Sequence, residues 1–208
     1  MNILENLQHR YATKVFDNKK ISGEELKKVI EILKLCPSSF GIQPRKFLII
    51  WNQDIKTSLV EHSRWQRQVK DCSHFIVLCA RKEIDDDYIR KYTKLLEKER
   101  WKWNDEIREE RLKIWKIERI KKCFSDSKAS EKEVFLALWF LLASLAQMNI
   151  DSCPMWWINP EKYDEISNLT NTEYKTVVCC ALWYRSPEDK YWKLKKVRFD
   201  KWDIIEIL

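Results

Sequence analysis

Polar and apolar positions change period several times along this chain, and each change predicts an element. Asn2 to His9 reads as a short helix, and the polar stretch from Arg10 to Asp17 as a loop or extended turn. Ser22-Gly23-Glu24-Glu25 supplies a capping serine with an acid three residues on, the pattern of a capping box. Leu26, Val29, Ile30, Ile32 and Leu33 then recur on one broad helical face. That helix should end before Cys36-Pro37, because the residue preceding proline disfavours helical backbone. Lys46 to Trp51 predicts a strand and Asp54 to His62 a helix. Phe75 to Ala80 is continuously apolar, which predicts a central strand buried on both faces. Asp85 to Lys122 reads as one long or broken, heavily charged helix. In Ser127 to Met148, Leu136, Leu138, Leu141, Leu142 and Leu145 are too many for a single stripe, so this helix should be buried on most sides. Ser152 to Met155 predicts a short strand, Pro160 to Asn168 a helix opened by proline, and Thr176 to Tyr184 a buried strand. The tail from Lys193 is basic, then apolar at Ile204, Ile205 and Ile207, and such an end needs a partner surface. No repeat, low-complexity tract or Gly/Pro linker divides the 208 residues. Strands alternate with helices, so residues 1–208 should form one α+β or α/β domain.

Composition excludes several classes. No apolar run reaches the length of a membrane span, and the first residues lack an apolar signal region, so a cytoplasmic protein with no membrane partner is expected. The net charge is +7, but between Arg81 and Lys132 both signs interleave. Interleaving predicts a solvated helix face rather than a nucleic-acid site, although the excess of cations would still draw in a phosphorylated ligand. Seven cysteines form no C-x-x-C pair, and several lie in predicted strands, so buried reduced thiols are expected and metal-ligand spacing is absent. His9, His62 and His74 fit neither an H-E-x-x-H motif nor a Ser-His-Asp order.

One compositional feature does alter the picture. There are two glycines, Gly23 and Gly41, where usage of ~7% would give about 15. There are also eleven tryptophans, and the two sets together make 13. Trp156 and Trp157 stand in a loop, Trp183 at a strand end, Trp139 inside a tight helix, and Trp101 and Trp103 in a charged segment without apolar neighbours. A gene that uses UGA for glycine, read with UGA as tryptophan, yields this pattern. Many of these positions are therefore expected to be glycine, the competing explanations being genuine divergence with loss of a ligand site and deliberate redesign.

Four cations carry candidate chemistry. Arg10 and Lys14 lie four apart in the first turn, while Lys196 and Arg198 are two apart in an extended stretch and so share a face. Taken with the turn Cys36-Pro37-Ser38-Ser39-Phe40-Gly41-Ile42-Gln43-Pro44, the segment from Arg10 to Phe47 resembles the opening of the flavin-dependent nitroreductase family. The resemblance extends to Arg198. It implies a three-layer α+β sandwich, with a central, mainly antiparallel sheet and helices on both faces, assembled as an intertwined homodimer with two FMN sites at the interface. In that reading Arg10, Lys196 and Arg198 meet the phosphate, Lys14 reaches the ring, and Tyr11 and Ala12 belong to the same turn. Pro37, Ser38, Ser39 and Gln43 correspond to a loop that reaches the flavin from the second subunit. Trp65 takes the place of a family asparagine that bonds the ring, and Gln68 keeps a later polar position. Pro154, Met155, Trp156 and Trp157 correspond to the loop past flavin N5, where the backbone N–H of Trp156 is the implied donor.

The implied activity is hydride transfer from NADH or NADPH through flavin N5 to a nitroaromatic, quinone or enone, with no side chain acting as general base. Taken literally, adjacent indoles at 156 and 157 instead predict a plugged pocket, and with it a cofactor-free member of the fold acting as an interaction or structural protein. A nucleic-acid module has only net charge behind it.

Overall fold

The computed structural model describes residues 2–100, 117–126 and 128–208. In chain order the elements are α1 (Ile3–His9), α2 (Gly23–Leu35), β1 (Arg45–Ile50), α3 (Gln53–Ser58), α4 (Gln68–Asp71), β2 (His74–Arg81), α5 (Asp86–Arg100), α6 (Ala129–Gln147), β3 (Asp151–Met155), α7 (Pro160–Ile166), β4 (Tyr174–Trp183) and α8 (Lys201–Ile204). The four strands form one antiparallel sheet in the order β1-β2-β4-β3. The apolar runs of β2 and β4 follow from their inner positions, where both faces are covered.

Alternation along the strands sorts side chains into two cores. Ile76, Leu78, Val178, Cys180 and Leu182 face one way, against Val29 and Leu33 of α2 and Leu138, Leu141 and Leu145 of α6. Phe75, Val77, Cys153, Met155 and Cys179 face the other, against Leu59, Val69 of α4 and Tyr163 of α7. Helices therefore cover both faces of the sheet, which is the three-layer α+β architecture that the resemblance implies.

The capping box at Ser22 and Glu25 forms as the sequence predicts and closes the start of α2, and the structure adds a second one, Asn2 with Glu5, at the start of α1. Other expectations need correction. The helix expected over Asp54 to His62 stops at Ser58, and only a 3-10 turn follows at Glu61–Ser63, because the chain then reverses through left-handed backbone at Arg64 and Trp65. Ile30 is exposed, so the buried face of α2 is narrower than its apolar pattern. α6 is not buried on most sides within one chain: Leu136, Trp139 and Phe140 form an exposed apolar stripe. Trp139 therefore marks no tight crossing within this chain. Six cysteines are buried, whereas Cys123 is exposed. Of the charged stretch from Asp85 to Lys122, α5 and helical turns at 117–123 are described. Trp101 and Trp103 lie outside the described residues.

Candidate functional site

The loop after α1 is pinned to the edge of the sheet. Ala12 bridges to Ser152 of β3, the Thr13 N–H donates to the Ser152 carbonyl at 3.2 Å, and Phe16 pairs with Arg185. The chain beyond β4 returns across this loop, and the Ser186 N–H donates to the Val15 carbonyl at 3.0 Å. Further on, the Lys196 ammonium donates to the carbonyls of Leu7, at 2.9 Å, and Arg10, which caps the C-terminal end of α1. The two termini are thereby tied together. Between them lies a cleft of about 540 Å³, lined by Arg10, Tyr11, Ala12 and Lys14 on one side and by Lys196 and Arg198 on the other.

Its electrostatics are one-sided. Among the described residues, Arg10, Lys14, Lys196 and Arg198 form no ion pair with a carboxylate. Burial, followed by the charge of Arg198, pushes the Arg10 guanidinium below its usual pKa. Burial, then Arg10 and Arg198, does the same to Lys196. Mutual repulsion held in place by backbone bonds is the signature of an anion site. Deeper in, the Lys14 ammonium donates to the Cys153 sulfur at 3.3 Å, and the buried Tyr11 hydroxyl lies beside Thr13 and Asp189 without a well-aligned hydrogen bond to either. A cationic mouth with an unsatisfied hydroxyl inside suits a phosphorylated, ring-bearing ligand such as FMN.

The other sequence candidates are placed elsewhere. Pro37, Ser38, Ser39 and Gln43 do not line the cationic cleft. Their turn is held by the Glu133 carboxylate, which accepts the Ser39 N–H at 3.0 Å, and by Arg45, which donates to the carbonyls of Cys36 and of Pro37, the latter at 2.6 Å. Gln43 lines a separate cleft beside β1. Gln68 is buried at the start of α4, on the same side of the sheet as Met155. Pro154 and Met155 are the last residues of β3, paired with Cys180 and Cys179. The adjacent indoles expected to plug the pocket do not line the cationic cleft. Trp156 packs edge-on against Phe135, with ring centroids 6.1 Å apart, and Trp157 lies under the Arg64 guanidinium at 4.8 Å.

Every tryptophan with a described side chain is exposed except Trp183, which is half-buried with a partnerless indole N–H. Large aromatic residues are ordinarily well buried on average, so this placement is anomalous. Trp65 is 73% exposed, and its φ of 58° follows a φ of 52° at Arg64. The Gln66 N–H donates back to the Ser63 carbonyl at 3.1 Å, which closes a turn whose two central residues are left-handed. The second of these positions is where glycine is favoured and a bulky residue is strained.

Two contributors escaped sequence reasoning. Cys153 reads as one more core thiol, and nothing in its spacing marks the contact with Lys14. Asp189 follows Ser186-Pro187 with no signal of a distant role, yet it is fully buried and accepts N–H bonds from Lys14 and Val15, more than 170 residues away in the chain.

Comparison with known proteins gives concordant matches. The nitroreductase family model matches residues 7–182. A Staphylococcus haemolyticus protein described as an NAD(P)H nitroreductase is 30% identical over 98% of this chain and 96% of its own length. The major NAD(P)H-flavin oxidoreductase of Aliivibrio fischeri is 31% identical, with 99% and 98% covered. Among solved structures, an Exiguobacterium sibiricum nitroreductase in complex with FMN has a TM-score of 0.78 at 21% identity, covering all of this chain and 98% of that one. A Bacillus subtilis nitroreductase has a TM-score of 0.84 at 17% identity, with 99% and 98% covered. At these identities the structural likenesses speak for the fold.

Proposed function

The chain belongs to the nitroreductase family, and from that premise we propose that it is an FMN-dependent oxidoreductase, taking hydride from NADH or NADPH and passing it to a nitroaromatic, quinone or enone. The observation that carries the reading is the convergence of Arg10, Lys196 and Arg198, drawn from opposite ends of the chain, on a cleft with no carboxylate partner for them. These cations would hold the phosphate, and Lys14 with the Tyr11 hydroxyl would face the ring system. Bound FMN supplies a hydride acceptor and donor at N5, so the chain needs no catalytic acid or base of its own. Its work is to bind, to orient, and to leave one ring face open. The backbone beyond Met155, at Trp156 and Trp157, is the proposed approach to N5, with Gln68 below it.

A homodimer completes this reading. The stripe of Leu136, Trp139 and Phe140 on α6 and the apolar tail of Ile204, Ile205, Ile207 and Leu208 are both exposed in the single chain. Apolar surfaces of this kind mark association sites. In a dimer, the turn bearing Ser38 and Ser39 would be free to meet the partner's flavin. The exposure of the tryptophans and the left-handed backbone at Trp65 support reading many of these positions as glycine. The side chains at 156 and 157 would then leave the ring face clear. Kept as indoles, they would crowd that face, and the alternative of a cofactor-free member of the fold would hold instead.

The experiment is reconstitution. Protein incubated with FMN and passed through gel filtration should elute yellow, as a dimer, and should consume NADH or NADPH when a quinone or nitroaromatic is added. Elution without flavin, or a flavin-loaded protein inert towards both nucleotides, would overturn the proposal.

A further inference from the structure

Asp189 is fully buried and forms no ion pair among the described residues. Its carboxylate is satisfied by amides instead. Oδ2 accepts the backbone N–H of Lys14 at 2.7 Å and of Val15 at 3.0 Å, and Oδ1 accepts that of Tyr191 at 3.0 Å. Burial alone would raise this carboxyl, but the N–H bonds outweigh it and hold the group below the usual carboxylate range. Two backbone bonds close the joint: Ser186 N–H to the Val15 carbonyl at 3.0 Å, and Asp189 N–H to the Ser186 carbonyl at 3.1 Å.

One side chain thus clasps two segments. The first carries Lys14, whose ammonium reaches Cys153 on β3. The second begins the arm that bears Lys196 and Arg198. The Ser186–Val15 backbone bond and the Lys196 contacts with Leu7 and Arg10 join the same two segments on either side, and the Asp189 carboxylate is the side chain that fixes the Lys14 backbone itself to the start of the arm. We propose that Asp189 is a positioning residue for the flavin site: it locks the backbone of Lys14 to the start of the cationic arm, so that ring-side and phosphate-side cations act on one ligand. This rests on the FMN reading above.

An aspartate suits the role better than its amide. Asparagine offers one acceptor oxygen, so its NH₂ group would face either the Lys14 and Val15 donors or the Tyr191 donor, leaving a buried N–H without a partner. The test compares Asp189→Asn with the unaltered chain, at a temperature where circular dichroism shows both fully folded. Hydrogen exchange of the peptide spanning Lys14 and Val15 is read without FMN. The FMN dissociation constant and the visible band of the bound flavin are read with it. The expected result is faster exchange at Lys14 and Val15, FMN binding weaker by about tenfold, and a changed flavin band as Lys14 shifts. Unchanged FMN affinity and an unchanged band in Asp189→Asn, even with a lowered melting temperature, would mean a merely structural residue and overturn the inference. An unaltered chain that takes up no FMN would overturn the inference together with the reading beneath it, whereas tight binding by both proteins would overturn the inference alone.

Discussion

Replacing Arg198 by alanine removes one of the three cations at the cleft mouth. The fold should lose little, because the recorded bond of this guanidinium runs from Nη1 to the carbonyl of neighbouring Val197 at 2.6 Å, and the residue is exposed. A phosphate ligand changes the balance. A hydrogen bond between charged partners is worth about 1.5–3 kcal/mol, and exposure favours the lower end of that range. About 1.5 kcal/mol corresponds to roughly a tenfold weaker dissociation constant. In the free chain the sign is opposite, because the charge of Arg198 acts against the half-buried guanidinium of Arg10. Arg198→Ala should therefore melt no lower than the unaltered protein in the absence of ligand. The assay titrates FMN and riboflavin by quenching of flavin fluorescence at low and moderate salt. FMN affinity should fall about tenfold, that for riboflavin should stay put, and the difference should narrow as salt screens the site. Equal losses for both flavins, or none for either, would refute the placement of a phosphate at these cations.

Other consequences follow from the same geometry. Gly41 has φ +75°, and a Cβ there would lie 2.9 Å from the Tyr92 hydroxyl, so Gly41→Ala should cost about 2 kcal/mol in urea unfolding. At residue 65, glycine and alanine both delete the indole, so their difference isolates the left-handed backbone: Trp65→Gly should be the more stable by about 1 kcal/mol, and a more stable Trp65→Ala would count against a glycine-type turn. Tyr184 and Ser22 hold Glu25 at a pKa of about 2, down from 4.5. A depressed folded-state pKa gives stability that is complete above the unfolded value and lost as pH falls through the folded one. The stability gap between the unaltered chain and Glu25→Gln should therefore close between pH 4.5 and about 2, and a gap independent of pH would contradict that pairing.

Much of the fold was legible because local signals agreed with tertiary ones. Ser22 with Glu25 marked the start of α2, Cys36-Pro37 its end, and the continuous apolar run of β2 announced a strand covered on both faces. The misses have physical causes. A helical pattern cannot show that Arg64 and Trp65 adopt left-handed backbone, so the helix expected from Asp54 to His62 ends early, at Ser58. The apolar surplus of α6 predicts burial on most sides, but Leu136, Trp139 and Phe140 remain on the surface of one chain. In the site, the cations could be listed from the sequence, while the groups that hold them could not. Asp189 acts on amides across nearly the whole chain length, Tyr184 on Glu25 from 159 residues away, and Lys14 meets Cys153 across the edge of the sheet. Contacts of that range leave no periodicity to read.

The most direct test of the account is anaerobic reduction of the FMN-loaded protein. Stepwise addition of NADPH or NADH should bleach the visible flavin absorbance at one reducing equivalent pair per bound FMN, and a quinone or nitroaromatic added afterwards should restore the colour. Bound flavin that neither nucleotide bleaches, or protein that retains no flavin, would contradict it.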